Sequence, residues 1–338
     1  MPAGLGLELA REACKKMPTA SSRAIGRYLY AKYPGRWTSE KTCYNCVLYV
    51  RGAQGNKGRK EMRSPEVKSA LRPHVKDFAL PCPPSQCEPW EPLHVTGPAV
   101  ILILSDLHVP YHSPSAIEAA VAYAKEHYAV DVLLINGDLT DWYTISRHDK
   151  DPRKKNLKAE IEAVGEFVGW LRPQFKKATC IWKYGNHEER WDKYIWNNSP
   201  ELADVANVQL HQILNLEKHN IEYVDGQRPI MCGNLPVFHG HELPRGMSSP
   251  VNPARGAFLR TYHTVLHGHL HRSSTHVEPD LWQSETTCWT TGCLCGLRPE
   301  YARINKWNHG FAVVEVERSG EFAVHNYRIN ANGTVRPA

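Results

Sequence analysis

Residues 99–108 read AVILILSDLH, and residues 130–141 read VDVLLINGDLTD. Each is a compact apolar run that breaks abruptly into polar residues. Runs without polar alternation are the pattern of strands buried on both faces. Three more runs behave the same way. ATCIWKY (178–184) leads into Gly185-Asn186-His187-Glu188, LPVF (235–238) into His239-Gly240-His241, and TVL (264–266) into the segment holding Gly268-His269-Leu270-His271. Helical stretches at Ser115–Tyr128, about Asn156–Phe175 and Glu188–Asn197 fall between them. Strands alternating with helices predict an α/β domain whose helices cover sheets. Because ligands bind at the carboxyl ends of strands in such domains, five strands are expected to bring their polar ends to one rim.

The residue types at those ends are carboxylate, amide and imidazole: Asp106 and His108, Asp138 and Asp141, Asn186 and His187, His239 and His241, His269 and His271. Together they are donors for two divalent cations, and an adjacent cation pair is a means of attacking phosphate esters. Oxygen mixed with imidazole nitrogen suits Mn, Fe or Zn, with Mn the leading expectation and Ni or Mg as alternatives.

The ordered set D-x-H, G-D-x-x-D, G-N-H-E, H-G-H and G-H-x-H resembles the calcineurin-like metallophosphoesterase superfamily over roughly residues 99–310. That superfamily spans protein phosphatases, DNA-repair nucleases, lariat debranching enzymes, cyclic-nucleotide phosphodiesterases and dinucleotide hydrolases. The resemblance implies a two-sheet sandwich flanked by helices (αββα). It implies that Asp106, His108 and His271 hold one metal, that Asn186, His239 and His269 hold the other, and that Asp138 bridges them. It further implies in-line attack on phosphorus by a metal-bridging hydroxide. His187 would act as general acid or electrostatic stabiliser, and Asp141 would orient it. Asp is also a preferred helix N-cap, which is the competing reading of Asp141. His241 is either an outer partner of a ligand or a substrate contact. The phosphatase branch has Arg after its second motif, where this chain has Trp142-Tyr143, a departure that argues against a protein phosphatase. Arg147 and His148 are candidates for phosphate contact or for a solvated loop. Tyr111, Tyr143 and Trp142 follow motifs and could stack bases, as could Trp191 and Trp196, which also fit a helix core.

Outside this region the chain changes character. Residues 1–95 carry 16 Lys+Arg against 8 Asp+Glu, and the remainder 25 against 27, so the chain's net +6 arises near the N-terminus. Sixteen of the 18 histidines lie after residue 95. Ser21-Ser22 can cap a helix through Tyr33, and Thr38 or Ser39 a second one that Gly52 closes. The basic tail that follows includes Arg51, Lys57, Arg59 and Lys60. Two short helices, a tight turn and a basic loop resemble a helix-turn-helix with a wing, which makes nucleic acid the expected partner and these four residues candidate contacts. The expected domains are therefore a basic helical domain (1–75), a Pro-rich linker (76–98) and the phosphoesterase domain (99–338).

Cys43, Cys46, Cys82 and Cys87 have the number for a four-thiolate zinc site, but Cys43, Cys46, Val47 and Val50 share one helical face and read as core. No stretch approaches the ~18 apolar residues of a membrane span, and the N-terminus has no secretory pattern, so a cytoplasmic protein is expected. The leading functional expectation is a phosphodiesterase or nuclease on nucleic acid. The alternative is a phosphomonoesterase or phosphoprotein phosphatase that uses its N-terminal region for docking.

Overall fold

The run at 99–104 forms a strand with both faces covered, as its unbroken apolar pattern requires. In the computed structural model, which describes residues 4–52, 87, 90–147, 151, 153, 156–244 and 251–338, it is the second strand in chain order. We label the strands β1 (Leu93–Val95), β2 (Ala99–Leu104), β3 (Val132–Asn136), β4 (Thr179–Lys183), β5 (Ile221–Val224), β6 (Ile230–Cys232), β7 (Leu235–Phe238), β8 (Val265–His267), β9 (Ser274–Pro279), β10 (Glu285–Thr290), β11 (His309–Val316), β12 (Phe322–Ile329) and β13 (Val335–Pro337). One sheet has the order β13-β12-β11-β2-β3-β4-β5 and the other β1-β6-β7-β8-β10-β9. All five apolar runs are strands: β2, β3 and β4 run parallel in the first sheet, β7 and β8 in the second.

Alternate residues of β2 serve two cores. Ile101 and Ile103 pack with Leu134, Ile181, Val237, Leu266 and Val314. These residues come from both sheets, so this core is the filling of the sandwich. Leu102 and Leu104 pack with Leu133, Ile135, Ile117, Ala120, Phe167 and Val168. The last four lie on helices Pro114–His127 and Leu157–Leu171, which cover the outer face of the first sheet. Helix Pro253–Thr261 contributes Ala254 and Ala257 to a smaller cluster with Val265 and Cys288 of the second sheet. This is the mixed α/β, two-sheet architecture with flanking helices. The alternation around Ser319-Gly320 is a hairpin, β11–β12, and β11 inserts beside β2 with Val316 opposite Ala99. Residues 93–95 were read as linker. They form an edge strand parallel to β6.

The chain divides into two units, Met1–Cys87 and Glu88–Ala338. The first has three described helices, α1 (Gly4–Lys16), α2 (Ser22–Lys32) and α3 (Glu40–Val50). Ser21 and Ser39 cap α2 and α3 by accepting from Ala24 N and Thr42 N. Helix α1 was not anticipated, because its buried residues are the small Ala10 and Ala13 and its apolar signal is weak. Its core joins Ile25, Leu29, Trp37, Cys43, Val47 and Val50. Cys43 is thus a core side chain, with Cys46 packed at the margin. Cys87 is exposed, and Cys82 lies outside the described residues. A Cβ on Gly26 would come within 3.0 Å of Tyr44 Cα, so glycine there sets the close approach of α2 to α3. Among the described residues no helix is long and apolar enough to cross a membrane.

Leu134 lies wholly buried in the sandwich filling. Leu134→Ala should cost about 2–5 kcal/mol. In urea unfolding the midpoint should fall while the denaturant dependence stays constant.

Candidate metal centre

The five motif loops sit at the carboxyl ends of β2, β3, β4, β7 and β8, three from one sheet and two from the other. Beyond the strands they bond to one another. His108 N donates to Asp138 O at 2.9 Å, Val109 N to Leu139 O at 2.7 Å, and Gly268 N to His239 O at 2.8 Å. Asp106, His108, Asp138, His269 and His271 all adopt left-handed backbone, with φ of 56°, 52°, 50°, 67° and 56°. Such conformations are uncommon outside glycine and persist where surrounding structure enforces them. Here they turn consecutive loop side chains inward. The motif glycines have a different cause. A Cβ on Gly185 would lie 2.3 Å from Asp138 Oδ1, and one on Gly137 2.3 Å from His239 Nδ1.

The candidate ligands converge in two groups. Asp106 Oδ1 lies 3.1 Å from His271 Nε2, and His108 Nε2 lies 3.2 Å from the same nitrogen. On the other side, ligand atoms of Asp138, His239 and His269 lie within 4.8 Å of one another. Asp138 Oδ2 faces both groups, 3.8 Å from His108 Nε2 and 3.3 Å from His239 Nε2. Asn186 Oδ1 is buried without a hydrogen-bond partner among the described residues. A buried orphan acceptor is unfavourable unless something else engages it. The far nitrogens of three of these histidines are already occupied. His108 Nδ1 donates to Asp141 Oδ1 at 3.0 Å, His239 Nδ1 donates to Asn136 O at 2.9 Å, and Cys295 Sγ lies 3.8 Å from His271 Nδ1. Each Nε2 is thereby left for the centre, as in metal sites. The seven residues fit a pair of divalent cations.

His187 stands beside this cluster with Nε2 3.7 Å from Asp138 Oδ2. Its Nδ1 donates to the main-chain carbonyl of Asp141 at 2.8 Å, and Nε2 accepts from Arg190 Nη2 at 2.7 Å. Asp141 thus meets His187 at two points: its carbonyl accepts that hydrogen bond, and its carboxylate, which also serves His108, has Oδ1 3.5 Å from His187 Nδ1. Asp141 is not a helix cap: the following 3-10 turn, Tyr143–Ile145, starts from Trp142 with no side-chain cap bond. Burial pushes His187 down to about 3 and His269 down to about 4, which keeps both imidazoles neutral. Burial acts the same way on His239 and His271, but the charges of Asp138 and Asp106 outweigh it and raise both to about 10.

Glu188 closes the Gly185-Asn186-His187-Glu188 motif and is wholly buried. Its Oε2 accepts from Asp138 N (2.9 Å) and Gly185 N (2.7 Å), and its Oε1 from Thr140 N (3.0 Å) and Thr140 Oγ1 (2.9 Å). Glu242 does the same for another loop, accepting from His239 N at 2.9 Å and Gly240 N at 2.7 Å. It is paired at 3.0 Å with Lys183 Nζ, which is fully buried. A lysine at the end of the otherwise apolar run ATCIWK was the available signal for this pair. Arg190 was also missed, although its place one helical turn after His187 puts the two on one face.

The other expected contacts are distributed as follows. His241 is an outer residue, with Nε2 2.7 Å from Glu189 Oε1 and Nδ1 3.1 Å from Glu242 Oε2. Arg147 lines a groove with Asn186, Arg190 and Lys193. Arg51 is a strut within the helical unit, its guanidinium donating to Met17 O, Pro18 O and Ser22 Oγ. Lys57, Arg59, Lys60 and His148 lie outside the described residues. Trp142 and Trp191 are buried against each other, with ring centroids 5.4 Å apart, and offer no stacking face. Tyr111 is exposed beside the centre, and Trp196 is exposed on helix Glu189–Asn198.

Residues 99–285 match the family model for calcineurin-like phosphoesterases, a span that contains all seven candidate ligands and His187. The chain belongs to the calcineurin-like phosphoesterase family and is a metal-dependent phosphoester hydrolase. No curated protein matches it. Among solved structures it is similar to a Vps29 single mutant from Entamoeba histolytica, at 14% identity and a TM-score of 0.36, covering 70% of this chain and 96% of that one.

Two outcomes follow from this geometry. Glu188→Gln sets an amide NH2 against two of its four donors and should destabilise the protein by about 1–3 kcal/mol. In thermal unfolding the native protein should gain Tm with added divalent metal by mass action, and the variant should lose most of that gain. Cations and protons compete for the Nε2 lone pairs of His239 and His271. Since both nitrogens hold protons up to about pH 10, Mn²⁺ added in weak buffer at pH 7.5 should release protons. Affinity measured by titration should fall steadily as pH is lowered, and His239→Ala should release fewer protons.

Proposed function

We propose that this protein hydrolyses phosphodiester bonds in nucleic acid, with Mn²⁺ as its working metal. The observation that carries this reading is a groove of about 750 Å³ that opens from Asn186 and is lined by Arg147, Arg190, Lys193, Asn197 and Asn198. A monoester needs to present one phosphoryl group, whereas a polymer brings further phosphates on either side of it. A groove lined by cationic and amide side chains that includes a ligand suits those flanking phosphates.

Asp106, His108 and His271 would hold one cation, Asn186, His239 and His269 the other, and Asp138 both. When bound, the pair supplies Lewis-acid polarisation of the phosphoryl oxygens and an acidified water. The chain's own residues position and neutralise. Arg190 donates through Nη1 to Asp141 O at 2.9 Å and through Nη2 to His187, so its guanidinium is held at the mouth of the centre. A substrate phosphate entering there is a stronger acceptor than a neutral imidazole and takes over Nη2. His187 Nε2, unprotonated while Nδ1 stays anchored, is then free to take up the proton given up by the attacking water and pass it to the departing oxygen. In the phosphatase branch an arginine directly follows the second motif. Here Trp142 occupies that place and is fully buried, and Arg190 supplies a cation from the next motif's helix instead.

The N-terminal unit supports the same substrate. Arg23, Lys32, Arg36 and Lys41 are exposed on its helices and turn, a sequence-independent footprint for phosphates. The described cysteines are all free thiols, which fits the reducing cytoplasm.

The test uses the full chain with Mn²⁺ on bis-p-nitrophenyl phosphate, p-nitrophenyl phosphate and labelled DNA and RNA. Cleavage of diester and oligonucleotide is expected, with kcat reduced about 100- to 10,000-fold in His187→Ala. Arg190→Ala should raise KM and lower kcat together. Turnover of the monoester alone would favour the phosphatase alternative. Replacing Arg23, Lys32 and Arg36 with Glu should weaken binding to all sequences alike and flatten its salt dependence by roughly one slope unit per lost contact.

A further inference from the structure

A second pocket adjoins the centre on the side of the first metal group, and nothing in the proposed chemistry uses it. It encloses about 340 Å³, reaches His108 and Asp141, and is walled by Tyr111, Tyr143, Tyr301 and Trp307, with Arg298 and Arg303 at its margin. We propose that it is a nucleobase subsite, which holds one unpaired base next to the scissile phosphate and makes single-stranded nucleic acid the preferred substrate. This rests on the nucleic-acid reading above and deepens it.

Four observations carry the proposal. The first is composition and exposure. Tyr301 is 72% and Tyr111 43% exposed, so large aromatic faces stand in solvent at the mouth of a catalytic centre. Exposed aromatic platforms are how proteins hold unpaired bases, since every base offers a π face. The second is position. The Trp307 ring lies 4.0 Å, centroid to centroid, from the His271 ring, so one wall of the pocket touches a ligand side chain. A group held there is next to the residues that would hold the first metal. The third is size. A volume of about 340 Å³ is at the lower end of ligand pockets, roughly 300–1,000 Å³. It suits one nucleoside, and a paired base must leave its stack to enter. The fourth is construction. The loop that supplies Arg298, Tyr301, Arg303 and Trp307 is braced from within: Asn305 Nδ2 donates to Leu297 O (2.7 Å) and Ala302 O (2.6 Å), and Asn305 Oδ1 accepts from Trp307 N (2.8 Å). Gly296 N donates to Tyr111 O at 2.8 Å and closes the loop onto the first motif. This preformed loop lies beyond the residues 99–285 that the family model covers. It is therefore a place where this chain's own specificity can reside. Arg298 and Arg303, which line the same pocket, supply cationic groups suited to a neighbouring phosphate.

The experiment compares kcat/KM of the full chain with Mn²⁺ on three oligonucleotides of one sequence: single-stranded, single-stranded with an abasic spacer beside the cleaved bond, and fully duplex. The intact single strand should exceed the abasic one by about 10- to 100-fold, the range that one stacked base contributes. Tyr301→Ala should abolish that ratio, and Tyr301→Phe, which keeps the ring, should preserve it. Equal cleavage of intact and abasic strands, or of single strand and duplex, overturns the subsite and leaves the nuclease reading standing. A ratio unchanged in Tyr301→Ala also overturns it. Turnover of p-nitrophenyl phosphate with no cleavage of any oligonucleotide overturns both.

Discussion

Four donors converge on the Glu188 carboxylate, and the geometry of the centre depends on it. Two come from Asp138 and Gly185 backbone and two from Thr140, so one side chain fastens the loop after β3 to the loop after β4. Those loops carry the bridging Asp138, the orphan Asn186 and His187. Burial and the nearby charge of Asp138 push the Glu188 carboxyl up, and these donors work against that shift while holding the group in place. The left-handed backbone at Asp138 is maintained in part by this bond to its own N–H. Glu242 repeats the device for the loop after β7 and adds a buried partner, Lys183. A buried ion pair gives little net stability, but breaking it leaves an uncompensated charge, so it is a strong constraint on geometry. The ligands are thus placed by carboxylates that touch neither metal position.

Asp141 ties two functions together. Its carboxylate fixes the tautomer of a ligand, His108, and its carbonyl holds both His187 and Arg190. A displacement of this one residue moves a ligand, a proton carrier and a phosphate-facing cation at once. The expected carboxylate lies beside His187, with Asp141 Oδ1 3.5 Å from Nδ1, but the closer partner is the Asp141 carbonyl, a main-chain contact that spacing alone does not reveal.

The strands of the sandwich were legible because burial on two faces leaves no room for polar residues inside a run. Its ends were legible because the polar residues there were all of ligand type. The hairpin at Ser319-Gly320 was visible, but its insertion beside β2 was not, since register across more than 200 residues leaves no local mark. Helix α1 was hidden by alanines, whose burial leaves little hydrophobic contrast. Lys183, Glu188, Arg190 and Glu242 escaped because a charged residue in a loop or at a strand end is usually solvated, and only the folded chain shows that these four are engaged. Arg51 shows the reverse: a basic residue in a basic segment, engaged by the carbonyls of its own unit.

The place of β11 has a consequence for how the molecule comes into being. β2 is among the first strands of its domain to leave the ribosome, yet its neighbour β11 lies more than 200 residues later. Until that neighbour arrives, one long edge of β2 presents unpaired N–H and C=O groups, the template on which chains aggregate. Loop-closure entropy is incurred before this pairing can reward it, so folding of the sandwich is slow and late. The loop that carries Tyr301 and Trp307 immediately precedes β11, and so it is set in place by the same final step. The wall that carries Tyr301 and Trp307 is therefore finished only when β11 pairs with β2 and the sheet closes.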